Sequence, residues 1–401
     1  FPANKIPGQL DKERFAHEAF GAAHRQGYVP NESQMNALSR YCELGLSTPI
    51  ILTGESGCGK SAFLANWASE YAATHPGAFI ILHNIGLTAT GNDHLDFIWR
   101  VCSEIKERYE ISEEVPSTAE QLEAKFPLWL ARAQRDRLII VIDALDKLQG
   151  VPEQLRWLPE YIPPNVRLVV SAVESEELEI LRSRKWSEWK LKLLSKKERE
   201  MLISKYLAGF GKSLSARQKA HIAHDAKTSN PLFLRTLLEE LRIFGYFEQL
   251  DTQIDFYLSA VDLPDLFQKV LERLEHDFSA ELVRKVMVSL WASRRGLSET
   301  ELLEISGASR MDLSSLLVAL EHHILRRAGL MSFFHHYLRK AVAKRYLDEY
   351  YLQVQAHARL AECFEKMDVS PRVCEELPWQ LMEAGETNRL VACLANVPIF
   401  L

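Results

Sequence analysis

Short stretches of strand character, the one at 138–142 apolar throughout, are separated by stretches of helical period and organise the first half of the chain at 49–53, 79–83, 138–142, 167–172 and 189–193. A strand that is apolar throughout is buried on both faces. Strands alternating with helices at this spacing predict an α/β unit whose parallel sheet is covered on both sides. Ahead of them, residues 1–47 read as a leader and two helices, DKERFAHEAFGAAHR and ESQMNALSRYCEL, with a break at 27–31. After 193 the alternation stops. Ser195 and Glu198 spell a capping box, and helical periodicity continues to about 250, interrupted at 209–215 and at Asn230 and Pro231. Further helices are expected over 263–278 and 280–293. A capping box of Ser298 with Glu301, a turn at Gly307, a helix capped by Ser309 and a hairpin about Ala328 and Gly329 then read as a winged helix. The pattern divides the chain into 1–47, a sheet domain at 48–194, a small helical domain at 195–262, the winged helix at 263–348, and the start of an α-helical array at 349–401.

One loop in this pattern carries chemistry. GESGCGKS, Gly54 to Ser61, satisfies the phosphate-loop spacing G-x-x-x-x-G-K-[ST], with a strand before it and a helix, SAFLANWASEYAA, after it. Gly54, Gly57 and Gly59 let backbone N–H groups turn inward around a polyphosphate. Lys60 supplies a point charge for the β and γ oxygens, Ser61 is placed to hold Mg²⁺, and the helix N-terminus faces the anion. Glu55, Ser56, Cys58 and Ala62 complete the contact set. A second motif, RLIIVIDALDKL, ends a buried strand on Asp143, whose carboxylate suits Mg²⁺; a helix N-cap is the alternative use of that residue. Asp146 either polarises an attacking water or is a solvated loop acid. The strand at 79–83 and its crossover lie between the two motifs in the chain, which permits an added strand between their strands in space.

Composition narrows the field. Over 401 residues, 47% are hydrophobic and 25% charged, ordinary for globular protein in several domains. A net charge of −6 leaves no basic footprint, so no nucleic-acid partner is expected, and the second winged-helix helix, MDLSSLLVALEHH, offers no Arg or Lys to DNA. Six scattered cysteines with no C-x-x-C pair, no apolar run approaching 18 residues and no signal-peptide layout predict a reducing, cytoplasmic setting with no membrane span. Cys58 lies inside the phosphate loop, as an oxidation-sensitive thiol or as an incidental small residue. A start at Phe1 and a finish at NVPIFL read as a piece of a longer protein.

The order of phosphate loop, Asp-x-x-Asp strand, helical lid and winged helix resembles the signal-transducing NTPases of the STAND class, and within it the NACHT branch. IDALDKL is similar to the NACHT metal-binding strand, with Ala144 where AAA+ ATPases place a Glu. GESGCGKSAFLANW, FFHHYLRKAV and EELPWQLMEAGE are similar to nephrocystin-type NACHT proteins, in which tetratricopeptide repeats follow. The resemblance implies an ATP/ADP switch with Mg²⁺ and slow ATP hydrolysis. It is held closed by ADP, opens to self-assemble on ATP exchange, and has effector and sensor domains fused outside this chain. By position, His335 matches the winged-helix histidine that reaches the β-phosphate of ADP, with His336 competing, or both serve the helix. Pro231 matches the lid proline on adenine, or simply starts a helix. Tyr28 and Val29 match the segment covering the base, and Ser171 the sensor position, with Val173 where an Arg is common. Two other classes fit less well: an AAA+-like ATPase with a DNA-binding winged helix, and a small-molecule kinase.

Overall fold

The computed structural model describes residues 7–25, 28–44, 48–87, 93–133, 136–148, 155–245, 247–327 and 329–395. Contacts divide the chain into two units, one ending at Leu234 and one beginning at Arg235. The hairpin tip at Ala328 lies outside the described residues.

The first unit is built on a five-stranded parallel sheet of β1 (Ile50–Thr53), β2 (Ala78–Asn84), β3 (Arg137–Asp143), β4 (Val166–Ala172) and β5 (Ser187–Lys190), in the order β2-β3-β4-β1-β5. The period of two explains why its centre is apolar throughout. Leu138, Ile140 and Ile142 point to one face and meet Phe97, Phe126 and Trp129 from α4 (His94–Arg108) and α5 (Ala119–Ala131). Ile139 and Val141 point to the other and meet Leu38, Phe63 and Trp67 from α2 (Glu32–Glu43) and α3 (Lys60–Thr74). The helix α1 (Gln9–Arg25) packs on α3, and α6 (Glu176–Ser183) closes the α4 face through Leu178 and Leu181.

The strand standing between those of the two motifs is β4, whereas the one at 79–83 takes the sheet edge beyond β3. The expected strand at 189–193 begins two residues earlier. Its ladder runs from Ile50↔Ser187 to Thr53↔Lys190, and after a last bond from the Leu191 N–H to the Thr53 carbonyl the chain leaves the sheet. An edge strand tolerates the charged Glu188 and Lys190, so the apolar run there did not mark the pairing. The chain continues through α7 (Lys196–Ala208) and α8 (Ala216–His224), each opened by a full capping box, from Ser195 with Glu198 and from Ser215 with Gln218.

Helix α9 (Pro231–Ile243) crosses into the second unit, followed by α10 (Leu250–Leu258), α11 (Leu263–Asp277) and α12 (Ala280–Ala292). A short β6 (Leu297–Ser298), α13 (Glu299–Ser306), α14 (Arg310–Ala319), β7 (Ile324–Arg327) and β8 (Leu330–Phe333) come next, and the three strands pair antiparallel in the order β6-β8-β7. Ser298 caps α13 reciprocally with Glu301, and Ser309 caps α14, which opens one residue before the expected stretch and so carries the exposed Arg310 at its first position, against the reading that this helix has no Arg or Lys. Then come α15 (His336–Tyr346), α16 (Tyr350–Glu365), α17 (Pro371–Glu383) and α18 (Thr387–Leu394). The last helices are tied to α12 by Gln380, which donates to the Ala292 carbonyl at 2.9 Å and bonds His357 at 2.8 Å.

A buried carboxylate holds the start of this unit together. Glu240 on α9 is 2% exposed and accepts from the Tyr257 hydroxyl of α10 at 2.7 Å and from the Arg273 guanidinium of α11 at 2.5 Å, with His323 Nε2 at 3.8 Å. Burial pushes its carboxyl pKa up, but the charged partners outweigh this, and it is held below the ordinary glutamate range. A depressed carboxylate stabilises the fold above its unfolded pKa of about 4.3, and that contribution is lost as pH falls through the lower folded value. Glu240→Ala strands the Arg273 charge and should cost about 3–5 kcal/mol in urea denaturation of the whole chain at pH 7. A loss below about 1 kcal/mol would show that the pair contributes no more than a surface ion pair.

Candidate functional site

The C-terminal ends of β1, β4 and β3 lie side by side, and this edge of a parallel sheet is where ligands bind in such folds. The phosphate-loop segment leaves β1 at Thr53 and enters α3 at Lys60. Gly57 and Gly59 hold φ of +81° and +95°, which L side chains rarely adopt, so the loop closes only with glycine there. Because the N-cap of α3 is Gly59, no side chain covers the first-turn N–H groups, among them those of Ser61 and Ala62. That is the geometry an anion needs. Lys60 is 9% exposed, and its ammonium donates to the carbonyls of Gly54 at 2.7 Å and Glu55 at 3.2 Å. It also lies 3.9 Å from Cys58 Sγ. The Cys58 thiol is raised by burial against the pull of Lys60, so it stays protonated and weakly nucleophilic.

The loop is closed from outside by the segment that opens α9. The Asn230 amide donates to the Ser56 carbonyl at 3.4 Å, and the Leu232 N–H is shared between the Gly57 carbonyl at 3.2 Å and Asn230 Oδ1 at 2.9 Å. A Cβ on Gly57 would meet Leu232 at 3.0 Å, and one on Gly59 would meet the Pro231 ring at 3.7 Å. Pro231 is thus both the first residue of α9 and a neighbour of the loop. Tyr28 and Val29 precede α2; Val29 is buried, and the Tyr28 carbonyl accepts from Lys205 of α7 at 2.9 Å. Asn31 donates to Glu198 of the same helix at 2.7 Å.

Asp143 ends β3, 2% exposed, beside Asn84 of β2 in the register. Its Oδ1 accepts from the Ser171 hydroxyl of β4 at 2.5 Å, and the same oxygen of Ser171 accepts from the Ala144 N–H at 2.9 Å. Asp146 lies in the following 3₁₀ turn, where its carboxylate accepts from the Val173 N–H at 3.4 Å. His335 is the half-buried N-cap of α15 and His336 its exposed first residue, both in the second unit. Among the described residues, no three His, Cys, Asp or Glu side chains cluster as a metal cage. The donor set fits Mg²⁺ all the same, since this ion takes one or two protein oxygens and completes its shell with water and phosphate. Ser61, in the first turn of α3, and Asp143, at the end of β3, carry oxygens of that kind.

Sequence reading missed Asn230, Leu232 and the part Ser171 plays toward Asp143. In the sequence Asn230 marks only an interruption of the helical stretch beside Pro231, a signal for a break and not for a loop partner.

Residues 48–210 match the NACHT domain family model. The chain is 28% identical to a TPR repeat-containing protein of Dictyostelium discoideum over 98% of its own length, and 26% identical to human nephrocystin-3 over 95%. It spans 28% and 30% of those proteins, under a third of either. Among solved structures, a Walker-type ATPase of Pyrococcus abyssi aligns at 14% identity and a TM-score of 0.43, covering 79% of this chain and 96% of that one. Among the described residues no helix is long and apolar enough to cross a membrane.

Gly57→Ala should weaken nucleotide binding at least tenfold in a fluorescent-nucleotide titration, through the positive φ and the push on Leu232. Leu232→Ala in the same chain should return part of the loss. Wild-type affinity in Gly57→Ala would mean that the loop has no such constraint.

Proposed function

We propose that the NACHT domain this chain carries at 48–210 is a nucleotide-operated switch that binds ATP or ADP and hydrolyses ATP slowly. The observation that supports it best is the direct seat of the Asn230–Leu232 segment on the phosphate loop. A ligand that changes the loop must change the start of α9, and a two-state element biased by a ligand is what a switch requires.

Phosphate oxygens would be received by the N–H groups of the glycine loop and the first turn of α3. Lys60, now on the Gly54 and Glu55 carbonyls, would exchange them for the β and γ oxygens. Mg²⁺, when bound, neutralises charge on the β and γ oxygens, and Ser61 and Asp143 are the residues that would hold it. Asp146 would orient the attacking water, and turnover would be slow enough for the nucleotide state to be read. Tyr28, Val29 and Pro231 would cover the base, with Ser171 completing the site.

In the ADP state His335 would donate one N–H to the β-phosphate and hold the winged helix closed, and exchange for ATP would release it for self-assembly. Effector and sensor domains would lie outside this chain, and no nucleic acid is needed. Beyond Arg310 at its start, α14 exposes Met311 and Val318, which suit protein contact better than phosphate.

Lys60→Ala should abolish binding of ADP and ATP by calorimetry, and wild-type affinity in that variant would refute the site. His335→Ala should speed ADP release at least tenfold and raise the assembled fraction in light scattering. If only His336→Ala does so, the lock belongs to the neighbouring residue; if neither does, it belongs to no histidine of this pair.

A further inference from the structure

The hydroxyl of Ser171 has a single proton and lone pairs to accept with. Both capacities are committed at the edge of the sheet. The proton goes to Asp143 Oδ1 at 2.5 Å, and a lone pair takes the Ala144 N–H at 2.9 Å, with Ser171 fully buried. Ala144 sits at φ +63°, a conformation that costs a non-glycine residue about 1 kcal/mol or more and persists only where neighbours over-determine it. The turn that carries the chain off β3 is therefore pinned by the residue across from it on β4. Two residues further along β4's exit, the Val173 N–H reaches Asp146. One strand end thus grips both acids of the site, the first through a side chain and the second through its backbone. For Ser171 to donate to a phosphate, the proton would have to leave Asp143 and free one of its carboxylate oxygens.

We propose that Ser171 is a positioning residue for Asp143, and that β4 takes part in the site by fixing the orientation of that carboxylate and not by touching phosphate. The proposal rests on the reading of Asp143 as a magnesium-holding residue. Outer-shell partners of ligating carboxylates orient them, and losing one typically costs about 10- to 100-fold in metal affinity or activity. A donor that fixes one oxygen leaves the other oxygen of Asp143 available to a cation.

The test uses the whole chain with ADP and magnesium chloride, by calorimetry. In Ser171→Ala the Mg²⁺ needed to reach half of the gain in ADP affinity should rise at least tenfold, while ADP affinity in EDTA stays at the wild-type value. Ser171→Thr, which keeps the hydroxyl, should restore the wild-type requirement. An unchanged Mg²⁺ requirement, with the preference between ADP and a non-hydrolysable ATP analogue shifted instead, would overturn the proposal in favour of direct phosphate contact. A fall in the EDTA affinity by the same factor would also overturn it, by showing that the residue only supports the fold. Failure of the underlying reading looks different: wild type and Asp143→Ala would then bind ADP alike with or without Mg²⁺, and both ideas would go together.

Discussion

The glycines that let a loop curl its backbone N–H groups around an anion bring no side chains to hold that shape. The form has to be held by other residues. Here Lys60 fastens it from within, across the carbonyls of Gly54 and Glu55, and Asn230 and Leu232 fasten it from outside, through the carbonyls of Ser56 and Gly57. The outer fastening comes from the residues that open α9, so they form part of the loop's wall. A nucleotide would take this loop by its N–H groups while the α9 segment holds it by its carbonyls, and the functional proposal grows from that adjacency.

The sheet supplies the rigid half of the arrangement. Its central strands bury alternate residues against α4 and α5 on one side and α2 and α3 on the other, so the strand ends that bear function are held by packing on both faces. With β4 lodged between β1 and β3, the loop and Asp143 are separated by one strand, and Ser171 stands in the gap. Function at the C-terminal edge of such a scaffold can be fixed in place, as the proposed switch requires of its nucleotide site.

Much of this was legible in the chain because it is local. The phosphate loop, the Asp143 strand and the capping residues Ser195, Ser298 and Ser309 are each specified within a few neighbours, and a spacing rule suffices to find them. What stayed hidden depends on partners far away in sequence. The place of β4 between two motif strands is a matter of pairing order, which periodicity does not encode. The pairing of β5 was misplaced by two residues because an edge strand carries charges that break the apolar run. Asn230 marked only a break in the helical stretch, and only the fold brings it to Ser56, 174 positions earlier. Glu240, Tyr257 and Arg273 sit on three successive helices and carry no local signal of the cluster that packing makes of them.

In the proposed switch a nucleotide in the glycine loop alters the segment that opens α9. Hydrogen exchange of the Asn230 and Leu232–Leu234 amides, followed in the free chain, with ADP and Mg²⁺, and with a non-hydrolysable ATP analogue and Mg²⁺, reads that change. Exchange there should slow on binding and differ between the two nucleotides. Identical exchange in all three samples, with binding shown to be saturated, would rule the switch out.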